Sequence, residues 1–128
     1  FEYCSVRFAS TAFDLHGGAP EITFCCIADN SQGGVACRND ASPKITHCTF
    51  ARNTGEGAIS AYGMSNPLIK NNNFMENAVA VQTFSSIYID ARNNWWGEAP
   101  PNREDRIWGI NINIEPWLSS PEERVFTP

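Results

Sequence analysis

The sequence predicts an all-β solenoid of short parallel strands, about five coils deep, and three observations carry that prediction. The first is a gapless internal repeat. The stretches Pro20 to Asn30, Pro43 to Asn53 and Pro67 to Asn77 align at spacings of 23 and 24 residues. Down the alignment run the columns Ile22, Ile45, Ile69, then Cys25, Cys48, Asn72, then Ile27, Phe50, Phe74, then Asn30, Asn53, Asn77. The second observation is an apolar pair separated by one residue in the other half of each unit: Phe13 and Leu15, Val35 and Cys37, Ile59 and Ala61, Val79 and Val81. That alternation is the pattern of a short strand with one buried face. The third is what the units lack. Pro, Gly and Asn recur every few residues, so no amphipathic stretch of ~10 residues remains to build a helical repeat, and the LxxLxL core of a leucine-rich repeat is absent.

At 128 residues the chain fits one domain, which excludes a two-domain enzyme. Hydrophobic residues make up 42%, but no apolar run approaches the ~20 residues that a membrane helix requires, so bilayer insertion is not expected. The formal net charge is −5 with nine Lys plus Arg. That balance cannot neutralise a phosphate backbone, and nucleic acid is not an expected partner. The chain opens at Phe1 with strand character, no basic start and no small-residue cleavage site, and it reads as a mature product or an excised piece.

Each element follows in order. The N-terminal stretch supplies a partial earlier copy, with Tyr3, Val6 and Phe8 expected in the first three columns and Thr11 in the Asn column. Stacked coils lie about 4.8 Å apart, so inward positions must pack on their equivalents as cross-strand pairs do. At the corners, Asn30, Asn53 and Asn77 are expected to take left-handed backbone conformations and to bond amide to amide along the stack. After Val81 the pattern loosens. Ile87-Tyr88-Ile89 leads into Asn93-Asn94-Trp95-Trp96-Gly97, with Trp95 expected in the column of Phe74. Residues 98–106, rich in Pro and charge, form a surface loop, and Ile110, Ile112 and Ile114 alternate as a last strand bracketed by Trp108 and Trp117. The expected division is coils over 1–97 and a loop, last strand and Trp-rich C-terminal cap over 98–128, since a solenoid end exposes unpaired backbone and core. A Trp-lined platform stacking on a sugar ring is the alternative reading of these tryptophans. Phe1, Tyr3 and Phe8 lie at an open N-terminal edge, where further coils or self-association would cover them.

The recurrent I-x-x-C/N-x-F-x-x-N signature resembles that of right-handed parallel β-helix proteins of the pectin-lyase-like type. Asn93-Asn94-Trp95-Trp96-Gly97 followed by Glu115-Pro116-Trp117-Leu118 is similar to the last coil and closing segment of bacterial secreted members. The resemblance implies a right-handed parallel β-helix and a secreted or cell-envelope location. For activity it implies only a fold that hosts lyases, hydrolases, epimerases and non-catalytic binders.

Candidate chemistry is sparse. Five cysteines, Cys4, Cys25, Cys26, Cys37 and Cys48, contain no CxxC. Cys25 and Cys48 share an inward column and are expected as packed free thiols, because in-register strands do not impose a relaxed disulfide torsion. Metal binding by Cys4, Cys25, Cys26, Cys48 and His47 is the sharper alternative, opposed by the alternation that turns Cys26 away from Cys25. No metal and no cofactor is expected. Asp29, Arg52 and Glu76 fall in one column and read as an exposed charge ladder. Asp29 and Glu76 are the catalytic candidates if the chain is a carbohydrate-active enzyme, although about 10 Å between them suits neither mechanism well. Arg52, Lys70 and Trp96 are the candidates for contacting a glycan. The outward positions Thr23, Thr46, Lys70 and Cys26, Thr49, Asn73 hold no acid cluster of the kind a lyase uses for Ca²⁺. His16 reads as a turn residue. The leading expectation is a non-catalytic spacer or carbohydrate-binding surface with a polysaccharide as partner; the alternatives are a lyase or glycoside hydrolase and, behind them, a periplasmic metal-handling module.

Overall fold

A computed structural model describes residues 1–84, 87–123 and 125. The short strands stack into three parallel sheets that wind around one core. The β1 sheet comprises β1 (Ser5–Arg7), β4 (Cys26–Ala28), β7 (Thr49–Ala51) and β10 (Asn73–Met75). The β2 sheet comprises β2 (Thr11–His16), β5 (Gly33–Arg38), β8 (Ile59–Ala61), β11 (Val81–Thr83) and β13 (Ile107–Trp108). The β3 sheet comprises β3 (Glu21–Thr23), β6 (Lys44–Thr46) and β9 (Leu68–Lys70), and β12 (Ile89–Asp90) pairs separately with β14 (Ile112–Asn113). Every pairing is parallel, and the chain is an all-β solenoid of about five turns, consistent with a right-handed β-helix.

The repeat columns become layers of core. Ile22, Ile45 and Ile69 are in register and fully buried. Val6, Ile27, Phe50 and Phe74 form the second column, and its aromatic end is a stack, with ring centroids 5.1 Å apart for Phe50 and Phe74 and 4.8 Å for Phe74 and Trp96. Phe13, Val35, Ile59, Val81 and Ile107 form the third. Burying each such side chain contributes about 1.5–3 kcal/mol, and each ring pair adds about 0.5–1.5 kcal/mol.

Two corners share one construction. At the first, Tyr3, Phe24, His47, Asn71 and Asn93 have positive φ and are followed by Cys4, Cys25, Cys48, Asn72 and Asn94. At the second, Phe8, Asp29, Arg52 and Glu76 have positive φ and are followed by Ala9, Asn30, Asn53 and Asn77. The left-handed residue is thus the one before the expected Asn. It turns its own side chain outward and delivers the next one inward, where the Asn amides form a ladder: Asn30 Nδ2 donates to Asn53 Oδ1 and Asn53 Nδ2 to Asn77 Oδ1, both at 2.9 Å.

Register differs from the sequence reading in three places. Ser5 pairs with Cys26 and Val6 with Ile27, so the first coil is offset by 21 residues: Cys4 joins the cysteine column, Val6 the aromatic column, and Phe8 turns outward, 81% exposed. Trp96, not Trp95, follows Phe74, because the bridge runs from Asn73 to Trp95. Val81 pairs with Ile59 and Thr83 with Ala61, since the turn after Asn77 is two residues shorter than the Thr54–Ala58 turn of the coil before.

Beyond Gly97 the chain makes an excursion containing one helical turn, α1 (Arg103–Arg106), and then rejoins the stack through β13 and β14. Ile112 and Ile114 are buried and Trp117 packs against the core. Ile110 does not belong with them: it is 82% exposed, and Trp108 is 58% exposed. Ile107 points inward beside Val81, which turns Trp108 outward, and Gly109 at φ 142° then breaks the alternation; a Cβ there would meet Thr83 Cγ2 at 2.5 Å. Residues 124 and 126–128 of the expected closing segment lie outside the described residues.

Candidate functional site

Strand alternation decides what each sheet shows to solvent. On the β2 sheet the residues between the core positions are Asp14, Ala36, Ser60, Gln82 and Trp108, in register across five strands. His16 and Arg38 are paired two positions further along, and Tyr62 and Phe84 follow the ends of β8 and β11. Ala36, Ser60 and Gln82 form a low floor, while Phe84 and Trp108 stand out at 66% and 58% exposure.

The tall side chains hold one another. Arg38 Nε lies 3.2 Å from Asp14 Oδ1, its Nη2 lies 3.6 Å from Glu56 Oε2, and its guanidinium carbon sits 4.5 Å from the Tyr62 ring centroid. His16 Nε2 is 3.3 Å from Asp14 Oδ2, and its Nδ1 is 3.3 Å from Asn39 Nδ2. Ser60 Oγ donates to Glu56 Oε2 at 3.4 Å, and the Tyr62 and Phe84 rings stack at 5.2 Å. Desolvation acts to raise the Asp14 carboxyl, but the hydrogen bonds from His16 and Arg38 outweigh it and hold the group below its ordinary value. Burial, then a hydrogen bond to Glu56, pushes the Tyr62 phenol up. The arrangement is a cation fixed between two acids beside stacked rings. It offers ring faces, a planar donor fork and carboxylate acceptors, and Asp14 stays ionised, which suits an acceptor and not a general acid.

The other outer faces are less available. Cys26, Thr49 and Asn73, three of the outward positions of the β1 sheet, are buried, and Asn73 is bonded to the backbone of Glu122 at 2.8 and 3.0 Å. A concavity of about 360 Å³ beside Trp117 is lined by Pro101, Arg103, Ile112, Asn113, Ile114 and Glu115, and the Arg103 guanidinium there is spent on Ile112 O at 2.8 Å.

The residues singled out from sequence do not converge. Arg52 clasps Asp29 with bonds of 2.7 and 3.2 Å, Arg7 lies 3.9 Å from the same carboxylate, and Glu76 is one coil beyond Arg52. The Arg52 hydrogen bond holds the Asp29 carboxyl below its ordinary value. Lys70 Nζ lies 3.8 Å from Asp90 Oδ2, away from this corner on the β3 sheet. Trp96 is 1% exposed, inside the core, so it presents no face to a ligand. His16, read as a turn residue, ends β2 beside Asp14 and belongs to the cluster. Taking the outward positions between Phe13 and Leu15, Val35 and Cys37, Ile59 and Ala61 would have found Asp14, Ala36 and Ser60, and the step beyond would have found His16, Arg38 and Tyr62. Among the described residues no group of three or more His, Cys, Asp and Glu is placed to hold a metal ion, and no helix is long and apolar enough to cross a membrane.

The parallel stacking agrees with a comparison against protein families, in which the description "right handed beta helix region" matches residues 1–97. The chain belongs to that β-helix family. Searches of the curated proteins and of the solved structures find no match to this β-helix. Family membership establishes the winding of the β-helix and leaves its chemistry to be argued from its faces.

Proposed function

We propose that this β-helix is a non-catalytic carbohydrate-binding domain of a secreted or cell-envelope protein and that it takes an extended, neutral polysaccharide along the outer face of the β2 sheet. The observation that carries the reading is the alignment on one face of Asp14, His16, Arg38, Glu56, Tyr62, Phe84 and Trp108 over a low floor of Ala36, Ser60 and Gln82. Exposed rings pack against the apolar faces of sugar rings, and fixed charged groups bond hydroxyls. Two carboxylates flank the single guanidinium, so the face does not favour an acidic sugar. The resemblance of Asn93–Gly97 and Glu115–Leu118 to closing segments of secreted members supports the location.

Titration of the chain with a panel of neutral and acidic polysaccharides, followed by calorimetry and by tryptophan fluorescence, tests this. The expected result is saturable binding to a neutral glycan, weakened roughly tenfold or more by Trp108→Ala or Arg38→Ala and unchanged by Arg52→Ala or Lys70→Ala. Release of reducing ends or unsaturated products, abolished by Asp29→Ala or Glu76→Ala, would replace the binding reading with an enzyme. Absence of both binding and turnover would leave a structural spacer.

A further inference from the structure

Three thiols line the inner side of the first corner, each directly after a left-handed residue: Cys4 after Tyr3, Cys25 after Phe24 and Cys48 after His47. They sit at a bend before β1, β4 and β7 begin, so the torsional argument against disulfides between paired strands does not apply to them. The contacts along this column are unequal. Cys4 Sγ and Cys25 Sγ are 2.9 Å apart, within about 0.9 Å of a covalent S–S length. Cys25 Sγ also lies 3.4 Å from Thr23 O, while Cys48 Sγ lies 3.3 Å from Thr46 O and 3.5 Å from Ile22 O. Access is unequal too, for Cys4 is half-buried while Cys25 and Cys48 are fully buried.

We propose that Cys4 and Cys25 are a reversible thiol–disulfide site that takes a low-molecular-weight disulfide as its oxidant and, once bridged, latches the first coil to the second. Cys4 is the member an oxidant reaches. Its sulfur bonds to one sulfur of the small disulfide as its proton passes along the 2.9 Å contact to the Cys25 thiolate, and the first small thiolate leaves. That thiolate takes the proton back from Cys25. Cys25 then attacks Cys4 Sγ, the mixed disulfide breaks, and the second small thiolate departs. The sum is one protein thiol, one protein thiolate and one small disulfide giving one protein disulfide, one small thiol and one small thiolate. Cys25 is suited to its part because the neighbouring thiols of Cys48 and Cys4 hold its own thiol below the ordinary value against the opposing effect of burial. Cys4 is pushed up, by burial first and then by its bond to Cys25. Cys48 is pushed up as well, by its neighbour Cys25 and then by burial, which leaves it a protonated thiol facing the Thr46 and Ile22 carbonyls.

The test is to incubate the folded chain with oxidised glutathione and map the linkage by mass spectrometry without reduction. The expected product has lost two hydrogens and joins the peptides holding Cys4 and Cys25. Its melting temperature rises by about 5–10 °C, and dithiothreitol reverses the rise. Cys48→Ser should bridge as the parent does, Cys25→Ser should stop with one glutathione on Cys4, and Cys4→Ser should stay unmodified. A Cys25–Cys48 linkage, a bridge between chains, or no product from the folded parent when the denatured chain is oxidised under the same conditions would overturn the proposal. The parent's linkage map decides the matter even where a variant fails to fold.

Discussion

The second corner of each coil places Asn30, Asn53 and Asn77 behind left-handed Asp29, Arg52 and Glu76, whereas the first places Cys4, Cys25 and Cys48, and only then Asn72 and Asn94, behind Tyr3, Phe24, His47, Asn71 and Asn93. The backbone turn is the same, and the inward filling differs. An Asn amide accepts from one coil and donates to another. Asn53 Oδ1 takes the side chain of Asn30, while Asn53 Nδ2 reaches Asn77 Oδ1 and Ile27 O. A thiol donates once and weakly, as Cys48 does to Thr46 O at 3.3 Å. The outer sides compensate differently as well. Tyr3, Phe24 and His47 stack at 5.2 and 4.9 Å outside the cysteines, and the Asp29–Arg52 ion pair lies outside the asparagines. One corner is therefore knitted by hydrogen bonds along its whole length. The other is held at its N-terminal end by packing, and it keeps sulfur chemistry in reserve.

Substitutions can break or sharpen this contrast. The largest effect is expected in the core between the corners, where Phe50→Ala removes the ring beneath Phe74 and should cost about 3–5 kcal/mol in a urea unfolding experiment. Asn53→Ala comes next, at about 2–4 kcal/mol, because it removes a buried amide that bonds Asn30, Ile27 O and Asn77 at once. Cys48→Ala should cost about 1–2 kcal/mol, the loss of a small packed side chain with a weak donor. If Cys48→Ala equals Asn53→Ala, the two corners do not differ in kind. The ion pair gives the smallest effect, and it is confined to acid. The Asp29 carboxyl is held below its ordinary value by Arg52, so the folded state releases its proton at lower pH than the unfolded chain does. Its contribution is complete above about pH 4 and is lost as the pH falls through the lower folded value. Parent and Asp29→Asn should differ slightly in melting temperature at pH 6 and converge near pH 2, and a gap that widens in acid would show the sign to be wrong. Glu76→Ala, one coil further out, should change stability by less than about 0.5 kcal/mol.

Where like residues recur at constant spacing, the columns were legible in the chain alone. Ile22, Ile45 and Ile69 had to stack, as did Ile27, Phe50 and Phe74, because equal chain length per coil brings equal positions to one layer. The same arithmetic failed where turn length changes. Cys4, Trp96 and Val81 each took a position that the constant spacing assigned to a neighbour. The turn there is set by which residue adopts the left-handed conformation and by how many residues the loop spends before the next inward contact.

The sequence by itself determined the parallel stacking, the identity of most core layers and the Asn ladder, since each depends on periodicity that a single chain displays. Only the tertiary structure decided which side chains of different coils meet. Asp14, Arg38, Glu56, Tyr62 and Phe84 come from four different coils, and Cys4 and Cys25 are 21 residues apart. Their contacts lie across the stack, perpendicular to the chain, so they depend on the relative phase of neighbouring coils and become readable only after every turn has taken its length.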